Sequence, residues 1–457
     1  MNEAFRFSID RGGTFTDIYA ELPGERGYRV MKLLSEDPSY EDAPREGIRR
    51  IMSEYLERSL SSRNIPAQDI EWIRMGTTVA TNALLERSGA RTALVISQGF
   101  GDALQIGNQT RQKIFDLEIR KFDQLYETVI EADERIRIVR PEEEEVQGRV
   151  IQGITGERFE VLKELDLEGL RPLLQQAYNR GIRSIAVVFM HAHAWPEHEK
   201  AAGRLAREIG FTQVSLSSQV MPKAKLVARG DTTLVDAYLN PKIQDYLQSF
   251  RSGFTDQLSG TELLFMQSDG GLVQASDFNG SRAILSGPAG GVVGYATTTY
   301  AQMGNKPVIG FDMGGTSTDV SRYGGVFELV HETETADVRI QAPQLHIKTV
   351  AAGGGSRLFF DNGMLLVGPE SAGAHPGPVC YRKGGHLSLT DANLVLGRIQ
   401  PRYFPHIFGP NNDLPLDTQG SWEAMRELTT SINSYYADRG KEPLSVEEVA
   451  MGFIEVA

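Results

Sequence analysis

The sequence predicts an α/β protein, and three observations carry that prediction. Along most of its 457 residues, short apolar runs of strand length alternate with segments of helical period. An eight-residue signature occurs twice: Asp10-Arg11-Gly12-Gly13-Thr14-Phe15-Thr16-Asp17 returns as Asp312-Met313-Gly314-Gly315-Thr316-Ser317-Thr318-Asp319, with six of eight residue types kept. Between the copies, Ser286-Gly287-Pro288-Ala289-Gly290-Gly291-Val292-Val293-Gly294-Tyr295-Ala296 reads as a helix built from small residues.

Taken in order, each element has a local reason. The first signature follows Phe5-Arg6-Phe7-Ser8-Ile9 and the second follows Val308-Ile309-Gly310-Phe311, so each predicts a β-hairpin whose Gly-Gly turn faces a ligand. Helical patterns lie around residues 41 to 58, 196 to 209 and 232 to 252, and strands at Thr92–Ile96, Ile185–Phe189 and Glu262–Met266. Residues 141 to 166 are the most polar stretch. Pro141 followed by Glu142 to Glu145 predicts a solvated helix start, with acids at its positive end and no catalytic role. In the 286–296 helix each interior glycine costs about 1 kcal/mol relative to alanine. Gly287, Gly290, Gly291 and Gly294 fall near one face, which predicts close approach of another helix or backbone, as for a helix crossing between two lobes. At the far end Ser445-Val446-Glu447-Glu448 forms a capping box. Val446, Val449, Ala450, Phe453 and Ile454 then make an amphipathic helix that reaches Ala457 without a C-cap residue. The expectation is a chain that stops within an element, its apolar face free to dock another polypeptide.

Composition narrows the partners. Sixty acidic against 47 basic side chains give a net charge of −13, which argues against nucleic acid or an anionic membrane as the main partner and favours small molecules. Cys380 stands alone, so no intrachain disulfide forms. The N-terminus lacks the basic and apolar regions of a signal peptide, and no stretch is long and apolar enough to span a bilayer. A cytoplasmic enzyme of two or three domains is expected.

The chemistry of the repeated turn suits phosphate. Paired glycines let backbone N–H groups approach an anion, and hydroxyls add donors. Gly12, Gly13, Thr14, Thr16, Gly314, Gly315, Thr316 and Ser317 are therefore the candidate phosphate contacts. Asp10 and Asp312 would repel phosphate directly, and a Mg²⁺ ion between carboxylate and phosphate reverses that sign, so they are the candidate metal ligands and catalytic residues. Asp17 and Asp319 either join that site or anchor the turns through backbone hydrogen bonds. Turn chemistry alone does not require the same order twice.

Other candidates carry two readings each. Thr77, Thr78 and Asn82, where Met75-Gly76 leads into a helix, suit either a small polar substrate or helix capping. Arg111 offers a bidentate partner for a substrate carboxylate or is a surface arginine. His191, His193 and His198, with Glu197 and Glu199 beside them, suggest a metal site or a helix start after a buried strand. Ala351-Ala352-Gly353-Gly354-Gly355-Ser356 reads as a ligand loop or a plain turn. Cys380 reads as a small buried hydrophobe.

The order of turn, small-residue helix, strand and second turn resembles the actin, hexokinase and heat-shock chaperone superfamily. Within it, Ile9–Asp17, Lys32-Leu33-Leu34-Ser35-Glu36-Asp37-Pro38, Met75–Arg87, Pro376–Tyr381 and Leu389–Arg398 resemble the ATP-hydrolysing 5-oxoprolinases of the hydantoinase A and oxoprolinase family, over essentially the whole chain. The resemblance implies a two-lobed, actin-like (ribonuclease H-like) fold with duplicated phosphate-binding hairpins and an incomplete second lobe. It implies a first lobe over residues 1–225 and a second over 226–457. It implies ATP and Mg²⁺ as cofactors, and a cyclic amide substrate whose carbonyl oxygen is phosphorylated before ring opening; for 5-oxo-L-proline the products are L-glutamate, ADP and phosphate. It also implies a second chain supplying an adenosine-side segment and a B half. Alternatives are an A subunit acting on hydantoin or another cyclic amide or ketone, and a non-catalytic ATP-gated scaffold or inactive truncated remnant.

Overall fold

A computed structural model describes residues 3–24, 27–107, 124–143, 146–350 and 352–457. The chain opens with three antiparallel strands, β1 (Phe5–Arg11), β2 (Phe15–Glu21) and β3 (Tyr28–Leu34), and continues through α1 (Ala43–Tyr55), β4 (Ile70–Thr77) and α2 (Val79–Leu85). Asp42 caps α1 by accepting the Arg45 N–H, and Ile48, Ile51 and Met52 of its apolar stripe are buried against the sheet. β1 and β2 alternate strictly: Phe5, Phe7, Ile9 and Ile18 face that core, while Ser8, Asp10 and Tyr19 face the other side.

A second α/β layer follows: β5 (Thr92–Ser97), α3 (Ala103–Ile106), β6 (Thr128–Ala132), β7 (Arg135–Ile138), β8 (Arg149–Gln152), β9 (Arg158–Lys163), α4 (Leu167–Asn179), β10 (Ser184–Val188), α5 (Glu197–Ile209), β11 (Gln213–Leu216) and α6 (Ser217–Val220). Its sheet runs β11-β10-β5-β6, all parallel, and the continuous burial of β5 and β10 follows from cover on both faces. Among the described residues the predicted helix at Pro141 is not formed, Glu144 and Glu145 lying outside them. Residues 141 and 142 turn, and the polar stretch goes on as a small antiparallel sheet ordered β7-β9-β8. There Phe159, Val161 and Ile136 alternate inward, and Arg137 ties Glu143 and Glu160, each at 2.6 Å. Period-2 burial thus outweighs the helix-start chemistry.

The long helix α7 (Leu226–Arg251) packs against both sheets, contributing Leu234 and Ala237 to one core and Val235, Ile243, Leu247 and Phe250 to another. β12 (Glu262–Met266) then adds in parallel to β4, and β13 (Leu272–Gln274) closes the edge, giving the order β13-β12-β4-β1-β2-β3. The main sheet therefore draws on both sides of the expected division at residue 225.

Helix α8 (Ser286–Gln302) leaves that sheet and reaches the second hairpin, β14 (Val308–Met313) and β15 (Thr318–Tyr323). Of its four predicted glycines, only Gly287 meets backbone closely, while Gly290 has the Met266 Cε 4.0 Å from a built Cβ. A Cβ on Gly76 would stand 3.4 Å from the Gly287 Cα, whereas Gly291 and Gly294 have no neighbour within 4 Å of a built Cβ. Two short pairs, β16 (Leu329–Val330) with β19 (Gln344–Leu345) and β17 (Thr333–Thr335) with β18 (Val338–Ile340), lead into β20 (Ile347–Val350), which extends the hairpin as β14-β15-β20. The hairpin of β21 (Ser356–Asp361) and β22 (Met364–Ser371) follows, then α9 (Leu389–Val395), α10 (Thr418–Ala437) and α11 (Val446–Val456).

α11 has the predicted capping box, formed by Ser445 and Glu448. Its apolar face is not free: Val449, Ala450 and Phe453 are buried against α9, α10 and β22. The 376–416 segment packs on the first hairpin. Phe15 lies 5.9 Å from the Tyr381 ring, and Lys383 forms a buried ion pair with Asp37. Among the described residues no helix is long and apolar enough to cross a membrane.

Candidate functional site: a pair of Gly-Gly turns

Both signature segments fold as hairpins with the same register. Asp10 faces Asp17 and Arg11 faces Thr16 in the first; Asp312 faces Asp319 and Met313 faces Thr318 in the second. Each turn closes in the same way, Gly12 N donating to Phe15 O at 3.0 Å and Gly314 N to Ser317 O at 2.9 Å. Those two amides are thereby engaged inside the turns.

Residues about 300 apart in the chain meet at the turn tips. A Cβ on Gly315 would overlap the Thr14 hydroxyl, and one on Gly13 would lie 3.4 Å from Thr316 Oγ1. Because the tips touch, the room for a ligand lies beside them. A cavity of about 490 Å³ opens next to Asp10, lined among others by Ser8, Tyr19, Arg74, Gly76, Met266 and Gly287.

Asp10 lines this cleft and is exposed to the solvent that fills it. Desolvation by the surrounding protein, then the charges of Asp17 and Asp312, push its carboxyl up to about 7. Asp319 is likewise raised, by burial and by Asp312 against a 2.5 Å bond from Thr349. Asp17 is held by Lys32 Nζ at 2.5 Å. The Thr14 hydroxyl is buried without a hydrogen-bond partner. Mutually repelling carboxylates and an orphaned donor are what a cation and an anion would satisfy, so the residues fit Mg²⁺ with phosphate. Among the described residues no group of three or more His, Cys, Asp or Glu could hold a metal. A metal here would take at most two protein carboxylates, with phosphate and water completing its shell.

Two family models cover nearly all of the chain: the hydantoinase/oxoprolinase N-terminal region matches residues 6–210, and hydantoinase/oxoprolinase matches residues 229–457. The chain belongs to the hydantoinase/oxoprolinase family. Relatives include 5-oxoprolinase 1 of Arabidopsis thaliana, 57% identical over 99% of this chain and 36% of that protein, and the 5-oxoprolinase of Dictyostelium discoideum, 51% identical over 100% of this chain and 38% of that protein. This chain thus spans little more than a third of the length of these relatives. Two solved structures share the fold. The ATP-dependent caprolactamase from Pseudomonas jessenii matches with a TM-score of 0.67 and 27% identity, over 99% of this chain and 61% of that one. Nucleotide-free acetone carboxylase matches with a TM-score of 0.75 and 23% identity, over 100% and 61%.

In this member of the hydantoinase/oxoprolinase family, several predicted residues brace the turns instead of facing the cleft. Thr16 is fully buried and shares a 3.0 Å hydrogen bond with Ser35, whose hydroxyl donates to Gly12 O at 2.7 Å. The Gly353-Gly354-Gly355 loop is not open to a ligand: Gly354 N and Gly355 N donate to Gly314 O and Gly315 O. A side chain at Gly353 would stand 2.7 Å from the backbone of the second turn. Thr77 is buried and accepts the Val79 N–H at 3.3 Å, so it braces the start of α2. Thr78 and Asn82 lie nearer the site, Asn82 Nδ2 being 3.9 Å from a Cβ built on Gly13. Arg111 lies outside the described residues.

The histidines do not form a metal centre. His191 has a φ of 61° and its carbonyl accepts from Ala194 N and Trp195 N, so the His-x-His segment is a tight turn and not the extended strand that would align both rings. His198 instead bridges Glu134 at 2.9 Å and Glu164 at 3.2 Å, and Glu199 is buried accepting from Phe189 N, Ser217 Oγ and Ser218 N. Cys380 is buried, and its thiol is pushed far up by burial and by Asp391.

Residues missed from sequence are Lys32, Ser35, Ser286 and Thr349. Lys32 and Thr349 sit opposite Asp17 and Asp319 on the third strand of each sheet, β3 and β20, outside the repeated segments, so the repeat itself gave no signal for them. Ser286, whose Oγ accepts the Thr77 N–H at 3.1 Å, had none either.

Proposed function

We propose that this chain carries the ATP-phosphate site of an ATP-dependent cyclic amidase that opens 5-oxo-L-proline to L-glutamate. The observation that carries this reading is the contact of the two turns with Asp10 and Asp312 beside it, together with the 5-oxoprolinase relatives. ATP is a substrate of this reaction. Mg²⁺ held by Asp10 and Asp312 would neutralise phosphate charge and orient the γ-phosphoryl group.

The chain's own residues position the reactants. Gly13, Thr14, Gly315, Thr316 and Ser317 offer amides and hydroxyls to the phosphates, and Lys32 holds Asp17 away from them. Asp319, held by Thr349, takes the same anchoring role in the second hairpin. The lactam carbonyl oxygen, which has no proton to lose, attacks the γ-phosphorus as ADP departs. One water then adds to the activated ring carbon and the C–N bond opens to leave an acyl phosphate, and a second water releases phosphate and L-glutamate. Such a step needs positioning and charge neutralisation more than a general base. Thr78 and Asn82, next to the first turn, are the candidate lactam contacts, with Arg111 for its carboxylate. The alternative cyclic amides and ketones share the phosphate site and differ only in that pocket.

The test is phosphate release from Mg²⁺-ATP with and without 5-oxo-L-proline, for the chain alone and for the chain coexpressed with the remainder of the Arabidopsis relative. Lactam-stimulated release, lost in both Asp10→Ala and Asp312→Ala, supports the reading. Stimulation by hydantoin or caprolactam but not by 5-oxoproline moves the substrate assignment. Nucleotide binding without any lactam response identifies a scaffold.

A further inference from the structure

The position between the aspartate and the paired glycines differs in the two hairpins: Arg11 stands in the first and Met313 in the second. The turn geometry and the phosphate donors repeat, and the cation does not. Arg11 closes β1 where that strand and the parallel β4 both end, the edge at which sheets of parallel strands hold their ligands. Alternation along β1 sets its side chain on the face of Phe7 and Ile9, opposite to Asp10. There the guanidinium lies 5.3 Å from the Tyr246 ring of α7, and Nε is 3.9 Å from Asp42 at the start of α1.

This setting leaves the guanidinium unfinished. Nε is buried with no hydrogen-bond partner, and the other oxygen of Asp42 is taken by the Arg45 N–H at 3.0 Å. Arg45 itself is engaged, donating to Glu41 at 2.6 Å and to the Ser249 carbonyl at 3.2 Å. A buried donor on a charged group is costly to leave unpaired, and an oxyanion brought to it removes that cost. The Arg11 side chain is still 18% exposed, so an anion can reach it. Its carbonyl accepts the N–H and the hydroxyl of Thr78 at 3.1 and 3.3 Å, and Thr78 O accepts the Asn82 N–H at 2.8 Å. Arg11 therefore shares a junction with the two candidate lactam contacts.

We propose that Arg11 is a specificity residue that binds the carboxylate of 5-oxo-L-proline and so separates this lactam from uncharged cyclic amides such as hydantoin and caprolactam. The inference rests on the cyclic amidase reading above and names the group that reads its substrate. Two observations favour the lactam carboxylate over the γ-phosphate as the anion. The side chain is on the opposite face of β1 from Asp10 and its metal, and the second phosphate turn does without a cation at this position. The Tyr246 ring holds the guanidinium in place, and the planar fork suits a carboxylate bidentately. Arg111, the other candidate for this role, lies outside the described residues, and the experiment sets the two against each other.

Phosphate release from Mg²⁺-ATP is to be measured for the chain coexpressed with the remainder of the Arabidopsis relative, with 5-oxo-L-proline and with 2-pyrrolidinone, the same ring without the carboxylate. Arg11→Met is expected to lower kcat/KM for 5-oxo-L-proline about a hundredfold more than for 2-pyrrolidinone, with the loss in KM and no parallel rise in the KM for ATP. Arg11→Lys, which keeps the charge and loses the fork, should fall between. Equal losses on the two lactams overturn the proposal, as does a parallel rise in the KM for ATP, which would give Arg11 to the phosphate. A selective loss in Arg111→Met but not in Arg11→Met overturns it too. Should Arg11→Met fail to fold, Arg11→Lys carries the same comparison, and no selective loss there is a negative result. Failure of the cyclic amidase reading shows elsewhere, as an unmutated protein that neither lactam stimulates, and it would take this inference with it.

Discussion

Thr14 stands so close to Gly315 that a Cβ added to the glycine would overlap its hydroxyl and lie 2.8 Å from its Cβ. The two turns are thus fitted to each other as well as to a ligand. Gly315→Ala is expected to force them apart, costing about 1 to 3 kcal/mol of stability and weakening Mg²⁺-ATP binding by about tenfold or more. Thr14→Ala in the same chain should relieve part of the stability loss. A double-mutant cycle on urea unfolding measures this, and strictly additive losses would show that the two residues are not in contact.

The carboxyl of Asp10, raised to about 7 by desolvation and by Asp17 and Asp312, makes metal binding proton-linked. Between the ordinary carboxylate value near 4 and about 7 the folded chain holds a proton that the unfolded chain has released. The sign is therefore that the ligand-free chain gains stability as pH falls through this window. Mg²⁺ binding runs the other way, weakening below about 7 and releasing one proton per ion. Calorimetry in two buffers of different ionisation enthalpy reads that proton. Asp10→Asn should abolish both effects, and a proton release unchanged in that variant would assign it elsewhere.

Lys32 is bound to Asp17 at 2.5 Å, and its charge favours the ionised form of Asp10. Lys32→Met is expected to raise Asp10 further, so the midpoint of the Mg²⁺ binding curve moves to higher pH. Thr349→Val, which removes an uncharged partner of Asp319, should leave that midpoint in place. Equal shifts in the two variants would argue against a charge effect.

Asp391 is the polar centre of the helical end of the chain. Fully buried, it accepts from Cys380 N and Ser388 N at 2.9 Å and from Ser421 Oγ at 2.7 Å. Asp391→Ala leaves those donors unsatisfied and is expected to cost about 3 kcal/mol, read as a lower urea midpoint with an unchanged slope. Because this cluster packs on the first hairpin through Tyr381 and Phe408, nucleotide affinity should fall with it.

The local pieces were legible in the residues themselves. The repeated Asp-x-Gly-Gly-Thr-x-Thr-Asp order produced two hairpins of matching register, because glycine turn preferences and strand alternation act over a few residues. The Ser445–Glu448 capping box and the strand at Glu262–Met266 formed as read, for the same reason. The remaining features depend on contacts between distant segments. Thr16 and the Gly353–Gly355 loop brace the turns instead of lining the cleft, because Ser35 and the Gly314–Gly315 carbonyls reach them from other elements. The polar stretch after Pro141 became strands because Phe159 and Ile136 found a core to enter. The contrast between buried Phe7 and Ile9 and exposed Ile309 and Phe311 follows from which strands and helices lie beside two nearly identical turns, and that is not written in the turns.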